Sequence, residues 1–483
     1  MAATAMTVAT MAGGVLAAGP SQAAIAGYAG VNGNLTITAG PGATTVRVTH
    51  AGGLITVVDL GANTSRAFAD RGFTKVTFVG SPRNDVFNAQ GLDLVVAAFG
   101  GGGDDSLTGG NRDDMLRGGS GNDRLLGGPG RDWLNGDSHT DELRGGGDDD
   151  VLIAMDAAYT DSMLDNLGQD SFWFDSSGPD SDRVVGHSGA DSVNPVVSFT
   201  NGADRSLNGD RIPDPALPSS PTDRNAPIGA YYSRSVGRPL FSATGPRATD
   251  VNQGRINDCK TVSALAALAG RSAGGSNWAV RSAMVDFGDS TYGVRLGGRY
   301  FRVDDDLLYL RGGVLAQAGP GAANSIWVAI AEKAIAHFAS PAANPRYWVL
   351  TSTSSTVSFA GFGSSNTGTP LIGEYAVSQA DLGVKLGNAL AAARPVTLSL
   401  TPRVSTVGGV HAYTLWAVNR VGGVVRSVVL RNPWGTDGSR NGYNDGTNDG
   451  LVTLPLASIW ADRIPDANFG PGRVNWGSPI PVG

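Results

Sequence analysis

The chain has a single cysteine, Cys259, among 483 residues, which excludes an intramolecular disulfide framework and any zinc site built on several thiolates. Its five histidines are scattered and none stands in a His-Glu-x-x-His pattern, so nothing supports a zinc metalloprotease. Charged residues make up only 16 % of the chain, and a net charge of −7 argues against nucleic acid as a partner. Long apolar runs are missing as well: the Ala-rich stretch from Met6 to Gly19 is too short to span a bilayer, and no integral membrane segment is expected. What the chain has in excess is glycine, 70 residues, about twice ordinary usage. An apolar content of 41 % rules out wholesale disorder, and the length predicts two to four domains.

Residues 1–46 carry no charged side chain. The apolar stretch leads into Ser21-Gln22-Ala23, a small-x-small pattern that a signal peptidase cleaves, and predicts an export signal over 1–23 despite the missing basic flank. From Tyr28 to Asn88, runs such as Asn34–Thr38 and Thr74–Phe78 alternate apolar and polar residues between Gly-rich turns, so 24–98 reads as a β-rich leader.

The negative charge is concentrated. Between Gly100 and Ile153, eleven Asp and one Glu face five Arg, as much net negative charge as the whole chain carries. Read in nines from Gly100, this segment aligns with itself six times, from GGGGDDSLT to GGGDDDVLI. The sixth position is always aspartate: Asp105, Asp114, Asp123, Asp132, Asp141 and Asp150. The eighth is always leucine, from Leu107 to Leu152, and Gly80–Asn88 with Asp85 and Phe87 looks like a degenerate earlier copy. Paired glycines permit turns at positive φ, one carboxylate per turn offers the hard oxygen that calcium prefers, and the leucine two residues later points inward from a short strand. The pattern resembles the RTX calcium-binding repeats, whose Gly-Gly-x-Gly-x-Asp-x-U-x units (U, a large apolar residue) form a parallel β-roll with Ca²⁺ between turns. The resemblance implies that 99–153 is such a roll, with the six aspartates as ligands. Arg112, His139 and Asp148 replace the fourth-position glycine, which weakens the expectation of ligation in the neighbouring turns. Crowded carboxylates predict that the roll folds only on binding metal, and calcium at about millimolar level is an extracellular condition, so a secreted or surface-associated protein is expected.

After Ile153 the pattern decays through Asp170–Asp175, read as a capping strand pair within a β-rich cap at 154–204. Five prolines between Arg211 and Pro227 predict a semi-rigid extended linker over 205–239. Helical patterns begin beyond it.

Cys259 stands at the start of one of them. Asp258 reads as an N-cap, and Val262, Leu265, Ala266 and Leu268 mark one face of a helix ending at Gly270. A cysteine in the first turn, beside Lys260, favours thiolate through the helix dipole and the adjacent cation. A nucleophile needs a base, and beyond the linker only His337 and His411 are available. His337 lies in a helical pattern and reads as structural; His411 opens a strand introduced by Gly408-Gly409. A hairpin centred between Val421 and Gly422 sets His411 opposite Asn432, whose amide can hold the imidazole.

The second half resembles the papain-like cysteine proteases of the calpain family. Gln253-Gly-Arg-Ile-Asn-Asp-Cys259 looks like its Gln-Gly-x-x-Gly-Asp-Cys signature, Gly409–Tyr413 its histidine strand and Leu430–Gly435 its asparagine motif. Val303-Asp-Asp305 and Trp327 through Glu332-Lys-Ala334 look like two structural segments of the same family. The resemblance implies an α+β papain-like domain over 240–483 and a multidomain chain. In it Cys259 is the nucleophile, His411 the base, Asn432 the residue that orients the imidazole, Gln253 an oxyanion donor and Trp434 a shield over the His–Asn bond. Asn257 and Lys260 depart from the family's glycine and aromatic residue. The implied activity is calcium-dependent endopeptide hydrolysis of polypeptide substrates. Two alternatives remain: an inactive calcium-binding adhesion protein, and an acyl transferase using the same residues with an amine as acceptor.

Overall fold

The computed structural model describes residues 8–9, 16–17 and 25–476, except 71, 157–158, 165–166, 177–181, 202–213, 217–229, 243–244, 271–276, 341–344, 365–366, 408, 438–446 and 466–470. The cleavage motif at 21–23, most of the export segment, Gly408 and most of the Pro-rich stretch therefore lie outside the described residues. The chain divides into two compact units, Met1–Ser198 with Asp204–Asn208, and Phe199–Ala203 with Gly209–Gly483.

The first unit is a β-solenoid built on two ten-stranded sheets. Successive nonapeptides alternate between the sheets, so two of them complete one coil. Ser106–Thr108, Arg124–Pro129 and Glu142–Gly147 stack in parallel in one sheet, and Met115–Ser120, Trp133–Ser138 and Val151–Ala154 in the other. The register places Leu107 on Leu125 and Leu125 on Leu143, and Leu116 on Leu134 and Leu134 on Leu152. All six leucines are fully buried, forming the thin core that their phase predicts.

The solenoid extends past the regular repeats. On one side Phe87 stacks on Leu107 and Val46 on Phe87, and antiparallel strands between Ile25 and Ala69 close that end. On the other side, Ser162–Leu164, Ser171–Asp175, Arg183–Val185 and Ser192–Val196 continue the same two parallel sheets. The expected capping pair is thus two further coils. They escape a nine-residue reading because the coil lengthens from 18 residues to 20 and then 21. The added residues fall between coils, while Asp161 and Asp170 keep the spacing of nine, as do Asp182 and Asp191.

Two ladders of aspartates run up this stack. The main-chain N–H of each aspartate donates to Oδ1 of the aspartate one coil on, from Asp85 through Asp105, Asp123, Asp141 and Asp161 to Asp182. The second ladder runs from Asp114 through Asp132, Asp150 and Asp170 to Asp191. The first glycine of each repeat lies under the other oxygen of its own aspartate: a Cβ on Gly118 would collide with Asp123 Oδ2, and one on Gly127 with Asp132 Oδ2. Gly118→Ala is expected to destabilise the solenoid by about 1–3 kcal/mol through this collision. Thermal melting with calcium present checks this, with the half-buried Gly147→Ala, whose added Cβ meets nothing, as the neutral control.

The second unit has a helical core and a sheet core. Cys259–Ala269, Trp327–Ala339 and Ser355–Gly361 are the main helices of the first, with Trp327, Leu265 and Ile330 fully buried among them. The second packs helix Gln379–Ala391 on a five-stranded antiparallel sheet. The strand order in that sheet is Leu451–Pro455, Val424–Arg431, His411–Val421, Val396–Leu400 and Arg473–Trp476. This unit also takes in residues from the expected linker. Tyr231–Arg234 pairs with Asp306–Leu310, and Ala216 forms a parallel bridge with Arg346. Asp214 reaches Lys333, a fully buried ammonium that Asp304 and the Asp306 carbonyl also hold. Burying a lysine demands such anions, and the Pro-rich stretch supplies one of them.

Candidate functional sites

In the solenoid, the six sequence-predicted aspartates lie in the two ladders, and all are buried. Asp105, Asp123, Asp132 and Asp141, together with Asp161, have Oδ1 engaged and Oδ2 buried without a hydrogen-bond partner. Asp114 differs, since its Oδ2 accepts the Gly110 N–H at 2.5 Å. Burial pushes the carboxyls up, to about 7 for Asp105 and Asp123 and about 9 for Asp132 and Asp141. An orphaned, buried carboxylate oxygen in each coil is what a bound cation would relieve, so the residues fit calcium. Carbonyl oxygens lie close by: the Gly118 carbonyl, like Asp105 Oδ2, crowds the point where a Cβ would stand on Gly100. Among the described residues no three His, Cys, Asp or Glu side chains gather as a metal site, so an ion here would draw on backbone carbonyls besides carboxylate. The fourth-position departures have a visible cost. His139 and Asp148 adopt φ of 84° and 73°, the left-handed region that their glycine counterparts Gly103, Gly121 and Gly130 occupy freely.

In the second unit, the structure brings Gln253, Cys259, His411 and Asn432 to one place. Cys259 begins the helix expected for it, after Asp258 at the N-cap position. Its thiol receives the backbone N–H of Ala412, the residue that follows His411. Two hydrogen bonds one turn farther along rivet helix to strand: Ser263 Oγ donates to the Ala412 carbonyl at 2.9 Å, and Thr414 Oγ1 to the Ser263 carbonyl at 2.7 Å. Neither residue carried a sequence signal beyond its place four residues from a motif residue or on the histidine strand.

His411 Nε2 lies 3.0 Å from Asn432 Oδ1. The Trp434 backbone N–H donates to the same Oδ1 at 3.1 Å, which identifies that atom as the carbonyl oxygen. The imidazole therefore carries its proton on Nε2, leaving Nδ1 as the basic nitrogen. The bond does not arise from the register expected for the hairpin. Val421 pairs with Val424 around a two-residue Gly422-Gly423 turn with φ of 59° and 79°. His411 consequently faces Leu400, the ladder with the next strand stops at Thr414 and Arg431, and Asn432 reaches the ring from just past the strand end. Arg431 fixes that end: its buried guanidinium donates to the carbonyls of Ala248 at 3.0 Å and Val251 at 3.2 Å. Trp434 sits edge-on to the imidazole with centroids 5.1 Å apart, though it is itself 46 % exposed.

Gln253 is tied to the asparagine loop by its own N–H, which donates to the Pro433 carbonyl at 2.7 Å. Its side-chain Nε2 donates to the Ile256 carbonyl at 2.8 Å and to Asp258 Oδ1 at 3.3 Å. Asp258 thus makes no side-chain cap, contrary to the sequence expectation, because its carboxyl is turned to Gln253 and Glu332. Asp258 and Glu332 are both fully buried and hydrogen-bonded to one another, which requires one of them to keep its proton. Glu332 is the one held well above its ordinary value, by burial and then by the neighbouring carboxylate; the Ala318 N–H at 2.8 Å accounts for one of its oxygens.

Burial also raises the Cys259 thiol and lowers the His411 imidazole to about 4. The expectation that the helix start and Lys260 favour thiolate is not met, because desolvation and the Asp258 charge outweigh the Ala412 N–H and Lys260. Burial thus favours the uncharged form of each group.

Residues 232–449 match the calpain family cysteine protease model, and residues 99–134 and 117–152 match the RTX calcium-binding nonapeptide repeat. Comparison with curated proteins gives no match. The chain therefore carries a calpain-family cysteine protease domain, preceded by RTX calcium-binding repeats.

Proposed function

We propose that the protein is a secreted, calcium-dependent endopeptidase in which Cys259 is the nucleophile, His411 the general base, Asn432 the residue that orients the imidazole, and Gln253 an oxyanion donor. The observation that carries the reading is the His411–Asn432 bond on the residue adjoining the N–H that meets the thiol. Cys259 Sγ attacks the scissile carbonyl as its proton passes to His411 Nδ1. The tetrahedral oxyanion is received by the Cys259 backbone N–H, which has no acceptor among the described residues at the first position of its helix, and by an N–H of Gln253. That amide leaves its longer contact, with Asp258, to do so. Protonation of the amine by His411 expels it and leaves a thioester. Water, deprotonated by the same nitrogen, hydrolyses the thioester to a carboxylic acid and the free thiol. Calcium, when bound to the repeats, neutralises the buried carboxylates; Asp105, Asp123, Asp132, Asp141 and Asp150 supply oxygens, and Asp114 does so if Gly110 releases it. Secretion is supported by the calcium concentration such repeats require.

Alkylation by a thiol-directed peptidyl inhibitor, read by mass spectrometry, tests this, because every adduct on the single cysteine reports Cys259. Labelling of the calcium-loaded chain is expected to be fast, and to fall about 100-fold in His411→Ala while Gln253→Ala leaves it intact. Labelling no faster than that of free cysteine would abandon the peptidase for the adhesion protein. Its acid limb is expected near pH 4, where His411 takes up a proton.

A further inference from the structure

A cleft of about 340 Å³ opens in the second unit, lined in part by the chain neighbours of Cys259 and His411. Lys260, the residue after Cys259, stands on one wall, and Val410, the residue before His411, on another. Arg473 supplies a second cation, and Ser354, Ser399, Thr401 and Asn475 add polar groups; among the described residues that line the cleft there is no carboxylate. Among the described residues neither Lys260 nor Arg473 forms a salt bridge. Arg473 uses one nitrogen, Nη1, on the Thr369 carbonyl at 3.0 Å, which anchors the guanidinium and leaves its other donors for a ligand. Lys260 is anchored through its main chain, since Ser355 Oγ donates to its carbonyl at 3.0 Å.

Asp462, the acid held against Thr401 of this lining, forms no salt bridge with either cation. It is buried and turned onto Thr401, accepting that residue's N–H at 3.0 Å and its hydroxyl. The lining hydroxyls and amide are likewise held: Asn475 Nδ2 donates to Thr397 Oγ1 and to Ser399 Oγ. The wall is therefore preset, with two cations on a floor of neutral polar groups, before any ligand arrives.

We infer that this cleft is a substrate subsite for an acidic side chain, with Lys260 and Arg473 as its specificity-determining residues, so that the enzyme cleaves next to Asp or Glu. The inference rests on the peptidase reading above and adds the substrate class to it. A carboxylate brought to the cleft replaces water around two cations to which the described residues supply no ion-pair partner, whereas a lysine there meets two like charges. The preference is electrostatic and only partly screened, because Lys260 is half-buried.

The test uses the full calcium-loaded chain and matched fluorogenic peptides carrying Glu, Gln or Lys at each position flanking the cleaved bond. Glu is expected to exceed Gln in kcat/KM by about tenfold at one position, and Lys to fall below both. Lys260→Gln and Arg473→Gln should each remove most of that preference, and Lys260→Glu should turn it toward Lys. Equal cleavage of Glu and Gln peptides, or a Glu preference untouched by both variants, overturns the subsite while leaving the peptidase in place. If no peptide is cleaved, the peptidase reading fails. The subsite is then judged by calorimetry of the same Glu and Gln peptides on the Cys259→Ala chain. Tighter Glu binding that Lys260→Gln abolishes upholds it, and indistinguishable binding overturns it.

Discussion

Withdrawing calcium with a chelator near neutral pH is expected to unfold the middle coils of the solenoid, with loss of strand signal in circular dichroism and new protease cuts between residues 99 and 161. Asp105, Asp123, Asp132, Asp141 and Asp161 each hold a buried oxygen without a partner, and burial raises their carboxyls to between about 7 and about 9. Their folded pKa lies above the unfolded value of about 3.9, so the folded state binds the extra protons. The stability gained this way is fully present below pH ~4 and is lost as pH rises through the folded values. A metal-free solenoid should therefore be more stable near pH 5 than near pH 8, and calcium should reverse that order, since ionised carboxylates are its ligands. Calcium binding near neutral pH should also release protons into weakly buffered solution. A melting curve unchanged by chelation at pH 8 would show that the ladders stand without an ion.

Glu332→Ala is expected to cost about 3 kcal/mol of stability and about 100-fold in kcat/KM, although Glu332 touches no substrate in the proposed reaction. Removing it leaves the Asp258 carboxyl fully buried without its shared proton and opens a hole beneath the loop that holds Gln253. Asp258 would then pull harder on the Gln253 amide or admit water, and in either case the oxyanion donor is misplaced. Glu332→Gln keeps a donor toward Asp258 and should recover most of both losses, an outcome that a purely space-filling role would also give. The separating measurement is the double variant Gln253→Ala, Glu332→Ala: if Glu332 acts through Gln253, the rate losses do not multiply. Inhibitor labelling of Cys259, which does not require the oxyanion donor, should fall much less than turnover in Glu332→Ala.

The strictly periodic features were legible in the sequence, and features made by meetings of distant residues were not. Leucine at the eighth position of each nonapeptide dictates the stacked core because a β-coil returns each residue to the same column. Asp161, Asp170, Asp182 and Asp191 obey the same rule, but longer turns carry them out of phase, so only their pairwise spacing of nine betrays them. Gln253, Cys259, His411 and Asn432 were visible as motifs, yet the hairpin register expected to join the last two is offset by the Gly422-Gly423 turn, while the irregularities after Leu415 and Asn419 cancel one another. Nothing local marks Glu332 as the neighbour of Asp258, or Arg431 as the clamp on the turn at Ala248, because helix packing makes the first pair and loop closure the second. Lys260 is visible in the sequence as the cation beside Cys259 and as a departure from an aromatic position, but not as the wall of a cleft; the second cation, Arg473, comes from the far edge strand of the sheet.

The rungs at the ends of the two aspartate ladders differ from those between. Asp85 Oδ2 takes the Ser81 N–H, Asp182 Oδ2 that of Asp175, and Asp191 Oδ2 that of Ser188, so these carboxylates are satisfied by the chain alone. The buried oxygens without a partner thus lie between ends whose carboxylate oxygens the chain itself engages. In a one-dimensional stack the unfavourable event is starting a coil, and each later coil adds to an existing template. Ends that remain folded supply that template from both sides, so the arrival of calcium completes a structure already begun, as a zip fastener closes from a joined tooth. The transition should then be steep in calcium and fast, its sharpness set by the number of coils between the two self-sufficient ends.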